Sequence, residues 1–172
     1  MRLFIAIRLP ERLQKALLDI MDDLRHQGMR GNFSRVENLH LTLAFIGETD
    51  DPAPIREAMD AAGGQPFTLS LNTGGTFRDL YWIGLRENPL LLAYVKALRS
   101  ELRTRGCPYD AKPFRAHITI IRRAQHPQEI TFNVPKIGFK AEAVSLMKSE
   151  RINGRLTYTE IYSVKLEAPN PR

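Results

Sequence analysis

His40-Leu41-Thr42-Leu43 returns 77 residues later as His117-Ile118-Thr119-Ile120. Both stretches alternate polar and apolar residues with the two-residue period of a β-strand. His40 and Thr42 then share one face, while Leu41 and Leu43 point into a core. His117 and Thr119 stand in the same relation to Ile118 and Ile120. The chain has only four histidines, and a packing role gives no reason to use the same His and Thr twice. Two strands that each offer an imidazole and a hydroxyl can supply a paired acid and base. Metal ligation suits these residues poorly. Thr is a weak ligand, Cys107 is the only cysteine, and neither His sits in a ligand spacing. A metal-free imidazole pair with no cofactor is expected.

The duplication reaches beyond the motifs. Shifted by 77, Leu3-Phe4-Ile5-Ala6 falls on Leu80-Tyr81-Trp82-Ile83, again an apolar strand-like run. A helical segment follows each run. Leu13, Leu17, Ile20 and Leu24 recur at steps of three and four from Pro10 to about Arg25. Leu91, Leu92, Val95, Leu98 and Leu102 do so between about Asn88 and Arg105. Pro10 suits a helix start, and Gly28 and Gly106 suit helix ends. Each half therefore reads strand, helix, loop, His-bearing strand.

The rest of the chain fills in the halves. Asp51-Pro52 opens a short helix to about Ala62, closed by Gly63-Gly64. Phe67 to Leu71 and a piece around Gly75–Phe77 read as strands. Asn153-Gly154 joins Ala141–Ile152 to Arg155–Leu166 in a hairpin, because both turn positions favour positive φ. The expected fold class is α+β. One domain, residues 1–172, is built as two similar lobes whose antiparallel sheets flank a cleft, with helices outside.

Composition bounds the setting. With 172 residues the chain can bury one proper core. No apolar run approaches the roughly 20 residues a membrane helix needs, and Met1–Leu9 is too short in its apolar part for a signal peptide. One cysteine fits a reducing compartment, so a cytoplasmic monomer is expected. The 25 Lys and Arg exceed the 19 Asp and Glu, for a formal charge of +6. Lys112, Arg115, Arg122 and Arg123 bracket the second motif, and Arg35 lies five residues before the first. Cations beside an acid–base pair point to an anionic substrate, most simply a phosphate. Lys148, Arg151 and Arg155 give the C-terminal hairpin a basic character that suits a nucleic-acid backbone.

Taken together, Arg2-Leu3-Phe4-Ile5-Ala6-Ile7, Asn38-Leu39-His40-Leu41-Thr42-Leu43-Ala44-Phe45-Ile46-Gly47, Trp82-Ile83-Gly84 and His117-Ile118-Thr119-Ile120-Ile121-Arg122 resemble the RNA 2′,3′-cyclic phosphodiesterases. These were first described as 2′-5′ RNA ligases and belong to the two-histidine phosphoesterase superfamily. Ala116 stands where many members have proline. The resemblance implies a bilobal fold with a pseudo-two-fold axis and the two motif strands facing across the cleft. It implies hydrolysis of a terminal RNA 2′,3′-cyclic phosphate to a 2′-phosphate, with reversible 2′-5′ joining of RNA ends such as tRNA fragments.

By the same resemblance His40 is the proton donor, His117 the acceptor, and Arg122 a phosphate ligand. Thr42 and Thr119 can donate hydrogen bonds to the non-bridging oxygens. Arg122 lies five residues after His117, and strict alternation puts it on the wrong face. It reaches the phosphate only if the strand ends or bulges near Ile121. Arg115 shares the histidine face and is a second candidate cation for RNA. Phe4, Tyr81 and Trp82 occupy matching strands, and one can stack on a base, with Phe4 and Trp82 the candidates. His26 and His126 read as surface residues. Two other readings stay open. One is the same fold acting on a small cyclic nucleotide or an ADP-ribose cyclic phosphate. The other is a non-catalytic RNA-binding module, for which two matched histidines have no use.

Overall fold

The computed structural model describes residues 1–126 and 128–168. The last four residues of the expected 1–172 domain lie outside the described residues. In chain order the elements are β1 (Arg2–Arg8), α1 (Glu11–His26), β2 (Arg30–Phe33), a 3-10 turn (Val36–Asn38), β3 (His40–Glu48), α2 (Ala53–Ala62), β4 (Phe67–Phe77), β5 (Leu80–Leu85), α3 (Pro89–Thr104), β6 (His117–Gln125), β7 (Gly138–Ala141), β8 (Ala143–Ile152) and β9 (Arg155–Lys165).

Two antiparallel sheets organise them, one in the order β3-β1-β8-β9 and the other β2-β6-β5-β4-β7. Apart from the edge strand β2, the sheets correspond strand for strand: β3 to β6, β1 to β5, β8 to β4, β9 to β7. The motif strand pairs in each case with the first strand of its own half. His40 lies opposite Arg8, and Thr42 opposite Ala6. His117 lies opposite Gly84, and Thr119 opposite Trp82. The structural offset between the first strands is thus 76 residues, one less than the motif spacing.

Each motif strand carries a bulge at the same place. In the first, Ala6 pairs with Thr42 but Ile5 with Ala44, leaving Leu43 as the extra residue. In the second, Trp82 pairs with Thr119 but Tyr81 with Ile121, leaving Ile120. The inserted residue shifts the side-chain parity, so two consecutive residues face inward. Leu43, Ala44, Ile120 and Ile121 are all at most 1% exposed.

Leu41, Leu43, Ile118 and Ile120 join residues of both sheets and all three helices in one buried cluster. α1 contributes Leu13, Leu17, Ile20 and Leu24 as its spacing requires, with Ala16 and Met21 filling the stripe. On α3 the stripe turns slightly from expectation. Leu92 is 47% exposed and Tyr94 is buried in its place. Gly28 and Gly106, just beyond α1 and α3, hold φ of 96° and 66°, the left-handed geometry that ends a helix most cheaply with glycine. Phe67 to Phe77 forms one long strand, not two short ones. Among the described residues no helix is long and apolar enough to cross a membrane.

α3 has the sharpest start. The Asn88 side chain accepts from the backbone N–H of Leu90 (2.9 Å) and Leu91 (3.1 Å), and its amide donates to the Thr68 carbonyl at 2.7 Å. Pro89 follows in the first helical position. Asn88→Ala removes both the cap and the tie to β4, and should cost about 1–2 kcal/mol. Chemical denaturation at unchanged m-value measures that loss.

Candidate active site

Both motif histidines stand at the first residue of their strand, and each is fixed by a backbone carbonyl two residues earlier. His40 Nδ1 donates to the Asn38 carbonyl at 2.7 Å, and His117 Nδ1 donates to the Arg115 carbonyl at 2.7 Å. A carbonyl only accepts, so Nδ1 carries the proton in both rings. Nε2 is then the atom that exchanges protons in each.

The surroundings of the two rings differ. His40 packs against the Phe4 ring at 4.8 Å between centroids and takes the Tyr158 ring edge-on at 5.2 Å. Its Nε2 lies 2.8 Å from the Thr42 hydroxyl, which donates to it when the ring is neutral. His117 meets only the edge of Trp82, at 6.1 Å, and its Nε2 has no hydrogen-bond partner among the described residues. Burial pushes the His40 pKa down. The Asn38 carbonyl opposes that shift, and the charges of Arg122 and His117 add to it. Burial likewise pushes the Tyr158 hydroxyl up, with Arg122 and Arg2 pulling the other way.

The bulge puts Arg122 on the cleft face. With Ile120 and Ile121 both inward, parity is reset and Arg122 returns to the face of His117 and Thr119. It is exposed, with no ion pair among the described residues. The same shift at Leu43 brings Phe45, 40% exposed, back to the His40 face. Phe45 had no assigned part in the sequence. The signal was its position, five residues after His40 as Arg122 is five after His117.

Other expectations change. Phe4 is 2% exposed and sits beneath His40 with Ala6, Met147 and Tyr158. It is a support for the imidazole and is not open to a base. Tyr81 is buried on the core face. Trp82 is half-buried on the cleft face, lying flat over Gly75, where a Cβ would come within 2.2 Å of its ring. Arg35 is not a free cation. It donates to the Leu156 carbonyl at 2.7 Å and pairs with Glu37 at 3.3 Å. Asn38 also donates to that carbonyl, at 3.1 Å, so one residue ties the His40 anchor to β9. Arg115 is exposed, and it is its carbonyl that touches the site. His26 and His126 are exposed.

The basic hairpin also divides. Strand alternation puts Arg151 on the cleft face with Met147, and Lys148 on the opposite face, where it pairs with Glu150 at 3.2 Å. Arg155, opposite Ile152, shares the Lys148 face. The three cations do not form one track. A groove of about 510 Å³ opens beside His40, with Arg8, Lys140, Glu37 and Glu160 on its walls. Among the described residues no three His, Cys, Asp or Glu side chains gather as metal ligands would.

Two matched imidazoles, with hydroxyls and a guanidinium on the same faces of their strands, make a candidate phosphoesterase-type site. The sequence model described as LigT like Phosphoesterase matches at residues 7–81 and 83–158, one segment for each half of the sequence. The chain belongs to that family. It is 32% identical to an RNA 2′,3′-cyclic phosphodiesterase of Escherichia coli, over 93% of this chain and 93% of that protein. It is 30% identical to one of Thermotoga maritima, over 97% and 94%. The crystal structure of E. coli LigT complexed with 3′-AMP superposes with a TM-score of 0.82 at 30% identity, covering 96% of this chain and 97% of that one.

The electrostatics yield a measurable order. In the free protein His40 should titrate below the ordinary value of 6.5, and Arg122→Gln should move it upward by removing a nearby positive charge. An NMR titration of the imidazole resonances reads both. A downward shift in Arg122→Gln would mean the guanidinium does not face His40.

Proposed function

We propose that this chain is an RNA 2′,3′-cyclic phosphodiesterase, opening a terminal cyclic phosphate to a 2′-phosphate by metal-free catalysis with His40 and His117. The observation that carries the reading is the pair of imidazoles, each locked through Nδ1 and each presenting Nε2 toward the cleft beside Arg122. The names of the relatives support the substrate class.

In the reaction, water attacks phosphorus in line with the departing 3′-oxygen. His117 Nε2 takes the water proton, the P–O3′ bond breaks, and His40 Nε2–H protonates O3′. The unpartnered Nε2 of His117 suits the acceptor role, because no neighbour must first give up a hydrogen bond. Thr42 and Thr119 hydroxyls donate to the non-bridging oxygens, and Arg122 offsets their charge. Trp82 and Phe45 offer flat apolar surface to the terminal nucleoside, and Arg115 lies free at the rim for an RNA phosphate. When the 5′-hydroxyl of another RNA end replaces water, the same proton transfers create a 2′-5′ linkage. We assign the protein to the cytoplasm as a monomer acting on RNA ends such as tRNA fragments. Its single cysteine, Cys107, supports a reducing compartment.

His40 as donor must be protonated, yet in the free protein its pKa is held below 6.5. Burial is the main cause and persists in the complex, but the anionic phosphate opposes the shift by neutralising Arg122 and adding negative charge beside the ring. Loss of the donor proton as pH rises should therefore depress kcat/KM, which reports the free protein, at lower pH than it depresses kcat, which reports the complex. If His40 were the base, its limb would fall on the acid side instead.

Incubation of an oligoribonucleotide 2′,3′-cyclic phosphate with EDTA-treated protein, followed by 3′-end analysis, tests the reaction itself. A 2′-phosphate product is expected. Inactivity restored by a divalent metal would exclude the imidazole-only scheme. His40→Ala and His117→Ala should each lower kcat by about 10²–10⁴, with the double variant little worse than either, because the two act as a unit.

A further inference from the structure

Phe77 is the most exposed large apolar side chain among the described residues, at 67%. It stands at the end of β4, and the register fixes which way it faces. Gly75 pairs with Trp82, and Phe77 with Leu80. Positions 75 and 77 are two apart on one strand, so Phe77 shares the cleft face with Trp82. From Trp82 it lies one strand over and two residues along, offsets of about 4.8 Å and about 7 Å. That is within reach of the next nucleotide of a strand whose last nucleoside rests on Trp82.

The neighbouring charge fits the same use. Arg78 follows in the two-residue turn, its guanidinium 5.4 Å from the Phe77 ring centroid. Its φ of 56° is a geometry that glycine adopts far more readily in such a turn. Arg30, Arg122 and Arg123 complete this end of the sheet. Arg30 pairs with Gln125 across β2 and β6, and the Asp79 carbonyl accepts from Ala124 N–H at 2.8 Å, which holds the Arg78 turn against β6. None of the four arginines forms an ion pair among the described residues. One exposed ring flanked by unneutralised cations suits a single nucleic-acid strand. A protein partner would need a much larger apolar area.

We propose that Phe77 and Arg78 form a subsite for the nucleotide immediately upstream of the cyclic end, with its base on the phenyl ring and its phosphate on the guanidinium. This rests on the cyclic phosphodiesterase reading, and extends it from the terminal phosphate to the RNA strand. It replaces the C-terminal hairpin as the path of the chain.

Binding and turnover separate the two ideas. Trp82 is the only tryptophan, so its fluorescence reports occupancy of the cleft. With 3′-AMP and a diadenylate ending in a 3′-phosphate as probes, the unaltered protein should bind the dinucleotide about 5- to 150-fold tighter, the worth of one stacked base. Phe77→Ala and Phe77→Leu should both remove the stacking part of that preference, leaving only what the Arg78–phosphate contact supplies, with 3′-AMP affinity unchanged. Phe77→Tyr should keep it. Arg78→Gln should flatten the salt slope for the dinucleotide by about 0.7, one single-strand phosphate contact. A preference undiminished in Phe77→Ala, a preference absent in the unaltered protein, or an equal loss of affinity for both probes overturns the subsite. Failure to hydrolyse the oligoribonucleotide 2′,3′-cyclic phosphate overturns the function reading alone, because the binding preference is measured without turnover.

Discussion

The bulge in each histidine strand is the constraint on which the cleft depends. An unbroken strand starting at His117 would put Thr119 and Ile121 on the cleft face and Arg122 in the core. A guanidinium there would be desolvated without a partner, which costs several kcal/mol. Inserting Ile120 as an extra residue buries two isoleucines in succession and turns Arg122 out toward the histidine. The same step at Leu43 buries Leu43 and Ala44 and turns out Phe45. One backbone device, used twice, therefore converts a simple alternating strand into a three-residue functional face at positions one, three and six.

Because the two halves share this bulge, their differences at the motifs lie in what stands on it. Opposite Thr42 is Ala6, and opposite Thr119 is Trp82. Opposite His40 is Arg8, which reaches Glu160 at 3.7 Å, and opposite His117 is Gly84. The position after the bulge holds an aromatic ring in one half and a guanidinium in the other. The first half is thereby tightly packed and apolar around its imidazole. The second is open, cationic and faced by one indole. Duplication supplies the symmetry of placement that an in-line displacement needs. Divergence of the facing residues supplies the asymmetry of protonation.

The motifs were legible because strand periodicity is local. Two residues of alternation fix a face, and His40, Thr42, His117 and Thr119 all fell on the cleft side. Helices α1 and α3 were legible for the same reason, down to Leu13 and Leu98 in the core. The bulge was visible only as a conflict, since Arg122 was on the wrong face for a phosphate ligand. What resolves that conflict is pairing with β5, a contact between residues some 40 apart that no local pattern encodes. The exposed reading of Phe4 failed in a similar way. Its strand is apolar on both faces, and periodicity says nothing about which aromatic is covered when a ring from another strand of the same sheet, here Tyr158 of β9, packs against it. β2 and β7, of four residues each, lie below the length at which alternation is distinguishable from chance. The hairpin cations looked like one patch because sequence proximity hides the parity that places Lys148 and Arg151 on opposite faces.

The tight packing around His40 bears on which ring gives a proton and which takes one. A half-buried imidazole beside a guanidinium and a second imidazole has its pKa pushed down by burial first and by the two neighbouring charges after it. A phosphate entering between the rings leaves the burial in place and offsets the charges. It satisfies the guanidinium, it places negative charge near Nε2, and it competes for the Thr42 hydroxyl that otherwise caps the lone pair. Proton uptake at His40 is then coupled to anion binding by the same geometry that positions the anion, and linkage requires the coupling to run both ways. His117, with its Nε2 uncapped, has no comparable neighbour to release and can accept a proton at once. In the proposed reaction the donor is made by the substrate and the acceptor is ready before it arrives. That order follows from a ring held by Phe4 and Tyr158 on one side of the cleft and a single indole edge on the other.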